Sequence, residues 1–285
     1  CNILRTSPAS TDIAADRTPC RELLNDLGRR QPDSDTVTSV QEAAVAARRI
    51  GYPVMIRPSY VLGGRAMMVA YGDHDLGPFV EAAFLASPGF PVLIDRYLER
   101  ATEVDVDMLC DGTDVLVGGV MQHIEVAGIH SGDSACATPP HSLDPKIVAE
   151  IKAACTRIAL ALKVKGLMNV QMAVKDGQIY VIEINPRASR TVPYVSKASG
   201  VQLAKIAAKI SLGKTLKELG LVGREFKMPW TAVKEAVLPF NRFPGVDPIL
   251  GPEMKSTGEV MGIDKNFELA YWKSQIAAGQ KLPNS

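Results

Sequence analysis

Two Asp-Gly dipeptides constrain the fold of this chain more than any other feature of its sequence. Asp111-Gly112 and Asp176-Gly177 each separate two apolar segments that have the alternation of strands. An Asp-Gly pair in this setting favours the tight turn of a β-hairpin, which joins antiparallel neighbours. Because helical segments are interspersed among the strands, we predict an α+β fold with mixed or antiparallel sheets rather than a uniform βαβ repeat.

Hydrophobic periodicity predicts the main helices. The strongest covers 144–163, where one apolar stripe is formed by Ile147, Ile151, Cys155, Ile158 and Leu162. Another helix is predicted to begin at Thr38, which has capping-box spacing to Gln41, and to end at Gly51. Periodicity further predicts helices over 75–86, 201–212 and 267–278.

Short apolar runs predict strands outside the two hairpins as well, over 54–57, 67–71 and 91–95. Three other segments lack such patterns: 1–37 is mixed and turn-rich, 123–141 is a polar loop with glycines, and 223–285 is rich in Pro and Gly. The only regular element that we predict in these three segments is the short helix near 267–278.

Composition excludes several classes of protein. The 285 residues carry a net charge of +1, which argues against a polybasic nucleic-acid or membrane-surface protein. No apolar run approaches the ~20 residues that span a bilayer, and no signal-peptide pattern opens the chain. The five cysteines (1, 20, 110, 136 and 155) form no C-x-x-C pair. We therefore expect reduced, mostly structural thiols and a cytoplasmic location.

The segment Ile182-Glu183-Ile184-Asn185-Pro186-Arg187 is the strongest candidate for chemistry. On a strand, Glu183 and Asn185 share a face, and two oxygen ligands at a strand end suit Mg²⁺. Arg187 could pair with a phosphate. The alternative is a solvated strand face that ends in a proline turn, and this segment alone gives the two interpretations similar weight.

Gln171 joins this pair only in one register of the 170–184 hairpin. A two-residue turn at Asp176-Gly177 places Gln171 opposite Ile182, whereas a three-residue loop over 176–178 places it opposite Glu183. We predict the three-residue loop, which makes Gln171 a metal ligand.

Three further segments carry weaker signals. Arg57 precedes a loop with Gly63-Gly64 that could hold phosphates or form a plain hairpin turn. The polar run from His130 to Ser134 is compatible with a substrate loop, but by itself it favours a capped turn. The alternating acids Glu103, Asp105 and Asp107 are typical of a solvent-facing strand. Gly213-Lys214-Thr215 resembles the end of a P-loop, but Ala208 stands where the first glycine is needed.

In this order, four segments together resemble the large chain of carbamoyl-phosphate synthetase: 57–65 (RPSYVLGGR), 128–135 (GIHSGDSA), 166–171 (GLMNVQ) and 183–187 (EINPR). The likeness continues through Leu238 to Asn241 and Gly251 to Met254, so it covers almost the whole chain. The residues of the first two segments and of Arg190-Thr191-Val192-Pro193 resemble those of the C-terminal half of this large chain, which phosphorylates carbamate.

This resemblance implies an ATP-grasp fold, in which two α+β subdomains clasp ATP, within a larger multidomain chain. We expect residues 1–16 to be the tail of a preceding domain, 17–222 the ATP-grasp domain and 223–285 an extension toward an allosteric domain. Because carbamate hydrolyses readily, we expect a closing lid that excludes water, and the glycine loop at 61–66 with the strands around it is the candidate. The segment Thr18-Pro19-Cys20 departs from the pattern, which puts the placement of Arg17 in doubt.

The resemblance also implies roles for individual residues. Arg17 and Arg57 would contact ATP phosphates, and Glu103 would accept hydrogen bonds from the ribose hydroxyls. Arg187 would hold the acyl substrate or the transferring phosphate. Arg57, Asn185 and Arg187 would be catalytic, and Gln171, Glu183 and Asn185 would bind the metals. The full set of implied nucleotide contacts is Arg17, Arg57, Asp95, Leu98, Glu103, Gly128, Ile129, His130, Ser131, Gln171 and Glu183.

The implied reaction is the ATP-dependent phosphorylation of carbamate, as part of carbamoyl-phosphate synthesis for pyrimidines and arginine. The implied cofactors are ATP with Mg²⁺ or Mn²⁺, and K⁺ is a further candidate. A glutaminase small subunit is the expected partner of the full-length chain. Two alternatives stay open: an ATP-grasp ligase with another acid substrate, and a truncated ATP-binding module without catalysis.

Overall fold

The alternating apolar segments form two antiparallel sheets in the computed structural model, which describes residues 3–281. The elements follow one another as α1 (Pro8–Ala15), α2 (Arg17–Asp26), β1 (Ser34–Val37), α3 (Val40–Ile50), β2 (Val54–Pro58), β3 (Met68–Ala70), α4 (Asp73–Ala86), β4 (Val92–Arg96), β5 (Thr102–Asp111), β6 (Val115–His123), β7 (Cys136–Thr138), α5 (Pro145–Ala161), β8 (Lys165–Lys175), β9 (Gln178–Asn185), α6 (Val192–Ser199), α7 (Leu203–Ser211), β10 (Thr231–Val237), a 3₁₀ turn (Phe240–Arg242), β11 (Gly258–Asp264) and α8 (Phe267–Ala277).

The smaller sheet has the strand order β1-β4-β2-β3, and the larger has the order β11-β10-β7-β6-β5-β8-β9. Every pairing between these strands is antiparallel. The predicted α+β class is therefore confirmed. Helices α3 and α4 pack on the smaller sheet and share its apolar core, which includes Ile56, Ile94 and Ala47.

The larger sheet has an apolar core on each face. Helix α5 covers one face, where Ile151 and Ile158 join Val106 of β5 in a single cluster. Helices α6 and α7 cover part of the other face, where Val195 and Leu203 join Leu109 of β5 in a second cluster. Because Glu103, Asp105 and Leu109 lie on one side of β5, that side changes along the strand from polar to apolar.

The N-terminal segment contains two helices where we predicted mixed turns. Each helix has its own side-chain cap: the Ser7 hydroxyl accepts from the Ser10 amide, and the Asp16 carboxylate accepts from the Thr18 amide. The prediction was wrong because these helices are short and α1 buries only Ala14, so hydrophobic periodicity gives little signal.

The predicted start of α3 was wrong by one residue. The Ser39 hydroxyl, and not that of Thr38, accepts from the helix at the Glu42 amide (3.2 Å). The Glu42 carboxylate in turn accepts from the Thr38 amide and hydroxyl. The helix ends at Gly51, as predicted. The pair with capping-box spacing is therefore Ser39 and Glu42, one position later in the chain, and Glu42 accepts from Thr38 rather than from the Ser39 amide.

Five further elements were missed: β1, β7, α6, β10 and β11. Strand β7 comprises only Cys136–Thr138, whereas β10 and β11 extend the larger sheet with residues from the Pro- and Gly-rich segment. Local patterns in these segments were too short or too close to proline to reveal them. The predicted boundaries at 16 and 222 stay predictions, and the two chain ends lie outside the described residues.

The hairpin of β8 and β9 combines the two registers that we considered. Lys175 pairs with Gln178, so the loop contains only Asp176-Gly177, and the predicted three-residue loop is wrong. A β-bulge at Ile182 then shifts the pairing, and Gln171 lies opposite Glu183. The predicted neighbours are confirmed, although a bulge rather than the loop produces them.

Cys20, Cys110, Cys136 and Cys155 are buried free thiols, as predicted, while Cys1 lies outside the described residues. Between residues 3 and 281, no helix is both long enough and apolar enough to cross a membrane.

Replacing Ile158 with Ala tests the core beneath α5. Ile158 is fully buried, so we expect the substitution to lower the free energy of unfolding by about 2–5 kcal/mol in a urea titration. Leu160→Ala on the outer side of the same helix is the matched control, because Leu160 is 36% exposed, and its cost is expected to be below ~1 kcal/mol. Equal losses in the two variants would contradict this packing.

Candidate functional site

A cavity of about 670 Å³ lies between the two sheets, and every predicted site residue lines it. Its lining includes Arg17, Arg57, Asp95, Leu98, Glu103, Gly128, Ile129, His130, Ser131, Gln171, Glu183, Asn185 and Arg187. These residues come from both sheets and from the loops between them. A single cavity that gathers so many polar groups is the best candidate for a ligand site.

Two arginines contact one buried carboxylate on β4, an inner strand of the smaller sheet. Arg17 Nη2 lies 2.7 Å from Asp95 Oδ1, and Arg57 Nη1 lies 3.3 Å from Asp95 Oδ2. The sheet positions this group, since Asp95 pairs with Met55 and Arg57 lies two residues further along the same face. Asp95 therefore holds both arginines in place, a contact that the sequence did not predict.

Helix α2 resolves the doubt about Arg17. Arg17 is the first residue of this helix, and Pro19 lies in the first turn, where its missing N–H leaves no helical hydrogen bond unmade. The unusual Thr18-Pro19-Cys20 segment is thus compatible with a helix that directs Arg17 into the cavity.

Gln171, Glu183 and Asn185 lie together on the larger sheet. Gln171 faces Glu183 across the β8–β9 pair, and Asn185 follows Glu183 by two residues on β9. The Gln171 amide nitrogen donates to the Ser131 hydroxyl (3.1 Å), which leaves its Oε1 as the atom available to a metal. The three side chains thus offer one carboxylate and two amide oxygens to the cavity.

The loop from Gly128 to Ser134 is fixed at both of its ends. Glu103 Oε1 accepts from the Gly128 amide at 3.1 Å. At the other end, the Asp133 carboxylate accepts from the amides of Lys255 (2.7 Å) and Ser256 (2.8 Å). Such a loop presents Ile129, His130 and Ser131 to the cavity in a defined conformation.

His130 is a neutral acceptor at its Nδ1 in this loop. Burial lowers the pKa of His130, and the nearby positive charges of Arg190 and Lys234 act in the same direction. Its Nδ1 accepts from the Gly132 amide at 3.0 Å. The absence of a side chain at Gly132 allows the Arg190 guanidinium to approach the loop backbone, since a Cβ at this position would lie 2.6 Å from Arg190 Nη2.

The predicted solvent-facing strand is the main error about the site. Asp105 is 3% exposed and Asp107 is fully buried, so the acidic face of β5 points into the protein. His123 was missed altogether: its Nε2 bonds Asp105 at 2.8 Å, and its Nδ1 lies 3.4 Å from Glu103 Oε2 without the alignment of a hydrogen bond. The error arose because alternation defines a shared face but not what covers it.

Lys234 is a second residue that the sequence analysis missed. It lies on β10, is 1% exposed, lines the cavity and donates from Nζ to the Ser131 carbonyl at 3.0 Å. The available signal was a Lys-Glu pair flanked by Ala232-Val233 and Ala236-Val237 on β10. We overlooked it because we assigned no strand to that segment.

The glycine loop between β2 and β3 is joined to the segment before β11. The Met254 amide donates to the Gly63 carbonyl at 2.8 Å, and the His130 amide donates to the Gly251 carbonyl at 2.8 Å. The segment 251–254 therefore connects the predicted lid with the loop of His130 on the far side of the cavity.

Charge on His123 makes the stability of the chain depend on pH. Burial by itself lowers the pKa of His123, but its hydrogen bond with Asp105 and the nearby carboxylate of Glu103 raise the pKa to about 9. A histidine with a raised pKa stabilises the fold below its unfolded pKa near 6.5, and this contribution is lost as the pH rises toward 9.

We expect the free energy of unfolding to fall more steeply between pH 6.5 and 9 in the wild type than in His123→Gln. Urea titrations at several pH values measure this difference. Identical slopes for the two proteins would show that His123 is not charged in the fold.

Gly64→Ala tests the contact between the glycine loop and the segment 251–254. Gly64 has a φ of +68°, and a Cβ there would overlap the Pro252 carbonyl oxygen. We expect faster amide hydrogen exchange at Met254, because the two segments would separate. Gly89→Ala is the control, since Gly89 has a φ of +79° but open space around it. Equal exchange at Met254 in both variants would contradict the contact.

Comparison with known proteins gives this site a family context. Residues 16–219 match the family model described as the ATP-binding domain of the carbamoyl-phosphate synthase L chain. The chain is 58% identical over 281 residues to the carbamoyl phosphate synthase large chain of Archaeoglobus fulgidus, covering 99% of this chain and 26% of that one. It is 52% identical to the C-terminal section of this large chain in Aquifex aeolicus, covering 99% and 55%.

Solved structures with the same architecture share little sequence with this chain. A biotin carboxylase from Campylobacter jejuni, in complex with an ATP analogue, superimposes with a TM-score of 0.76 at 16% identity, covering 96% of this chain and 68% of that one. The biotin carboxylase domain of the Hydrogenobacter thermophilus 2-oxoglutarate carboxylase, with MgADP and bicarbonate, gives a TM-score of 0.73 at 16% identity and covers 93% and 65%. The predicted ATP-grasp fold is therefore confirmed, and the chain spans about a quarter of the full-length relatives.

Proposed function

Because the chain belongs to the family of carbamoyl-phosphate synthase large-chain ATP-binding domains, we propose that its cavity phosphorylates carbamate with ATP, giving carbamoyl phosphate and ADP. The observation that carries the proposal is the set of Gln171, Glu183 and Asn185 opposite two arginines in one cavity. The match to the C-terminal section of a relative supports carbamate rather than bicarbonate as the acceptor.

The donor set fits Mg²⁺, and Gln171, Glu183 and Asn185 would hold it. Magnesium prefers oxygen ligands, takes few from protein and completes its shell with phosphate oxygens and water. When bound, the metal would neutralise charge on the phosphates of ATP. No group of three His, Cys, Asp or Glu side chains suited to a metal occurs within 3–281, and the proposed site combines one carboxylate with two amide oxygens. Mn²⁺ accepts the same ligand types and is part of the proposal, as is K⁺.

The protein itself contributes position and charge. In the transfer, a carbamate oxygen attacks the γ-phosphorus, the bond to the β–γ bridging oxygen breaks, and its electron pair leaves with ADP. Carbamate and the γ-phosphate are both anions, and they must approach each other. Arg17, Arg57 and Arg187 supply the fixed positive charge that offsets their repulsion. Their guanidinium groups suit phosphate because they donate in a planar fork.

Exclusion of water is the second requirement. Carbamate decomposes readily in water, so the cavity must close during the reaction. The glycine loop over the cavity and its contacts to 251–254 could provide this closure. Glu103, Leu98 and Asp95 line the same cavity and are the proposed surroundings of the adenine and ribose of ATP.

The wider context of the reaction is also part of the proposal. Full-length relatives are about four times as long as this chain. For the complete protein, the family resemblance implies ammonia supply by a glutaminase subunit and a cytoplasmic location. It also implies roles in pyrimidine and arginine biosynthesis.

Formation of ATP from carbamoyl phosphate and Mg·ADP tests the proposed reaction in reverse. We expect the wild-type chain to form ATP, and Glu183→Gln to lose activity by roughly 100-fold or more because the metal loses a charged ligand. Coupled enzymatic detection of ATP measures the rate.

Glu81→Gln is the matched control, because Glu81 is exposed on α4 far from the cavity lining. A wild-type rate in Glu183→Gln would refute the assignment. If the chain bound Mg·ADP but made ATP only from a different acyl phosphate, the alternative acid substrate would replace carbamate.

A further inference from the structure

Asp107 is a fully buried carboxylate that does not itself line the cavity. It lies in the middle of the larger sheet, opposite Asn169 on β8 and Gly119 on β6. The β5–β6 pairing shifts by one residue directly after it. A carboxylate in this position costs considerable free energy unless it accepts several hydrogen bonds.

Three donors meet this carboxylate. Asn169 Nδ2 (3.0 Å) and Ser189 Oγ (2.7 Å) donate to Oδ1, and Thr191 Oγ1 (2.5 Å) donates to Oδ2. Burial raises the pKa of Asp107 to about 6, although these three bonds act in the opposite direction. Replacing such a buried polar cluster by apolar residues is often neutral or stabilising, so stability alone gives no reason for it.

Two of the three donors belong to one loop. Residues 187–191 connect β9 to α6, and Arg187, Ser189, Arg190 and Thr191 from this loop line the cavity. Within residues 3–281, no main-chain hydrogen bond ties 188–190 to the sheet. The Ser189 and Thr191 hydroxyls, which also contact each other at 2.9 Å, are therefore the loop's connection to the sheet through Asp107.

We propose that Asp107 is a positioning residue whose buried carboxylate holds the loop 187–191 against the sheet and so sets where Arg187 and Arg190 lie in the cavity. The anchoring follows from the contacts alone, whereas the anion that the arginines would meet rests on the proposed function. Asp107 acts through the loop and touches neither the nucleotide nor the acyl substrate.

The bond from Thr191 allows a test with a matched pair of variants. Thr191→Val keeps the shape of the side chain and removes the hydroxyl, whereas Thr191→Ser keeps the hydroxyl. Thr191 precedes α6 but makes no side-chain capping bond, so loss of the hydroxyl does not remove a helix cap. Ser189→Ala removes the other hydroxyl and serves as a second variant should Thr191→Val fail to fold.

Amide hydrogen exchange at the two ends of the loop measures the anchoring in the whole chain without any substrate, because the amides of Arg187 and Val195 donate to the carbonyls of Asn185 and Thr191 (2.8 Å each). We expect exchange to accelerate about tenfold or more in Thr191→Val, because a hydrogen bond to a charged acceptor is lost, and to stay at the wild-type rate in Thr191→Ser. Strands β8 and β9 should exchange at the wild-type rate in both. Unchanged exchange in Thr191→Val, or equal acceleration in Thr191→Ser, would overturn the proposal.

Kinetics tests the second half of the proposal. In ATP formation from carbamoyl phosphate, Thr191→Val should raise KM for carbamoyl phosphate about tenfold, while the Kd for Mg·ADP stays within about twofold of wild type by calorimetry. A loosened loop with an unchanged KM would overturn the positioning role. If the wild type makes no ATP, the proposed function fails and the exchange experiment still decides whether Asp107 anchors the loop.

Discussion

The pairing of β8 with β9 is the constraint on which the candidate site depends. A one-residue slip would turn Glu183 away from Gln171, because neighbouring residues on a strand point to opposite faces. The tight Asp176-Gly177 turn by itself sets that unwanted register, and the bulge at Ile182 corrects it before the strand reaches Glu183. The proposed metal site therefore depends on one extra residue in the middle of a hairpin.

Buried charge around the cavity is arranged in partnered groups. Asp95 is shared by Arg17 and Arg57, Asp105 bonds His123, and Asp107 accepts from two loop hydroxyls. Each acid thus fixes the position of groups that face the ligand. A net charge of +1 is compatible with binding a small polyanion, since a few fixed arginines do so without a basic surface.

Sequence patterns predicted the parts of the structure that are determined locally. The helix over 144–163 and the two hairpins follow from periodicity and turn residues, and strand alternation together with ligand chemistry singles out Gln171, Glu183 and Asn185. The burial of Asp105 and Asp107 was not predictable in this way, because it depends on which loop covers the face of β5. Lys234 reaches the cavity only because β10 joins a sheet whose other strands lie far away in the chain.

The prediction errors near the two ends of the chain also have physical reasons. Helices α1 and α2 are short and depend on caps, and β10 and β11 gain their hydrogen bonds from partners that no local pattern reveals. Arg17 and the residues around Glu103 were predicted as site residues only from the family resemblance, because no local pattern indicated them. The contacts of Asp107 became visible only in three dimensions.

Calorimetric titration of ADP, with and without Mg²⁺, tests the central claim that β8 and β9 hold a metal for the nucleotide. We expect the wild-type chain to bind Mg·ADP more tightly than ADP in the presence of a chelator, by about 10-fold or more, and Asn185→Ala to remove most of this difference. Equal affinities for ADP with Mg²⁺ and with the chelator in the wild type would contradict the claim.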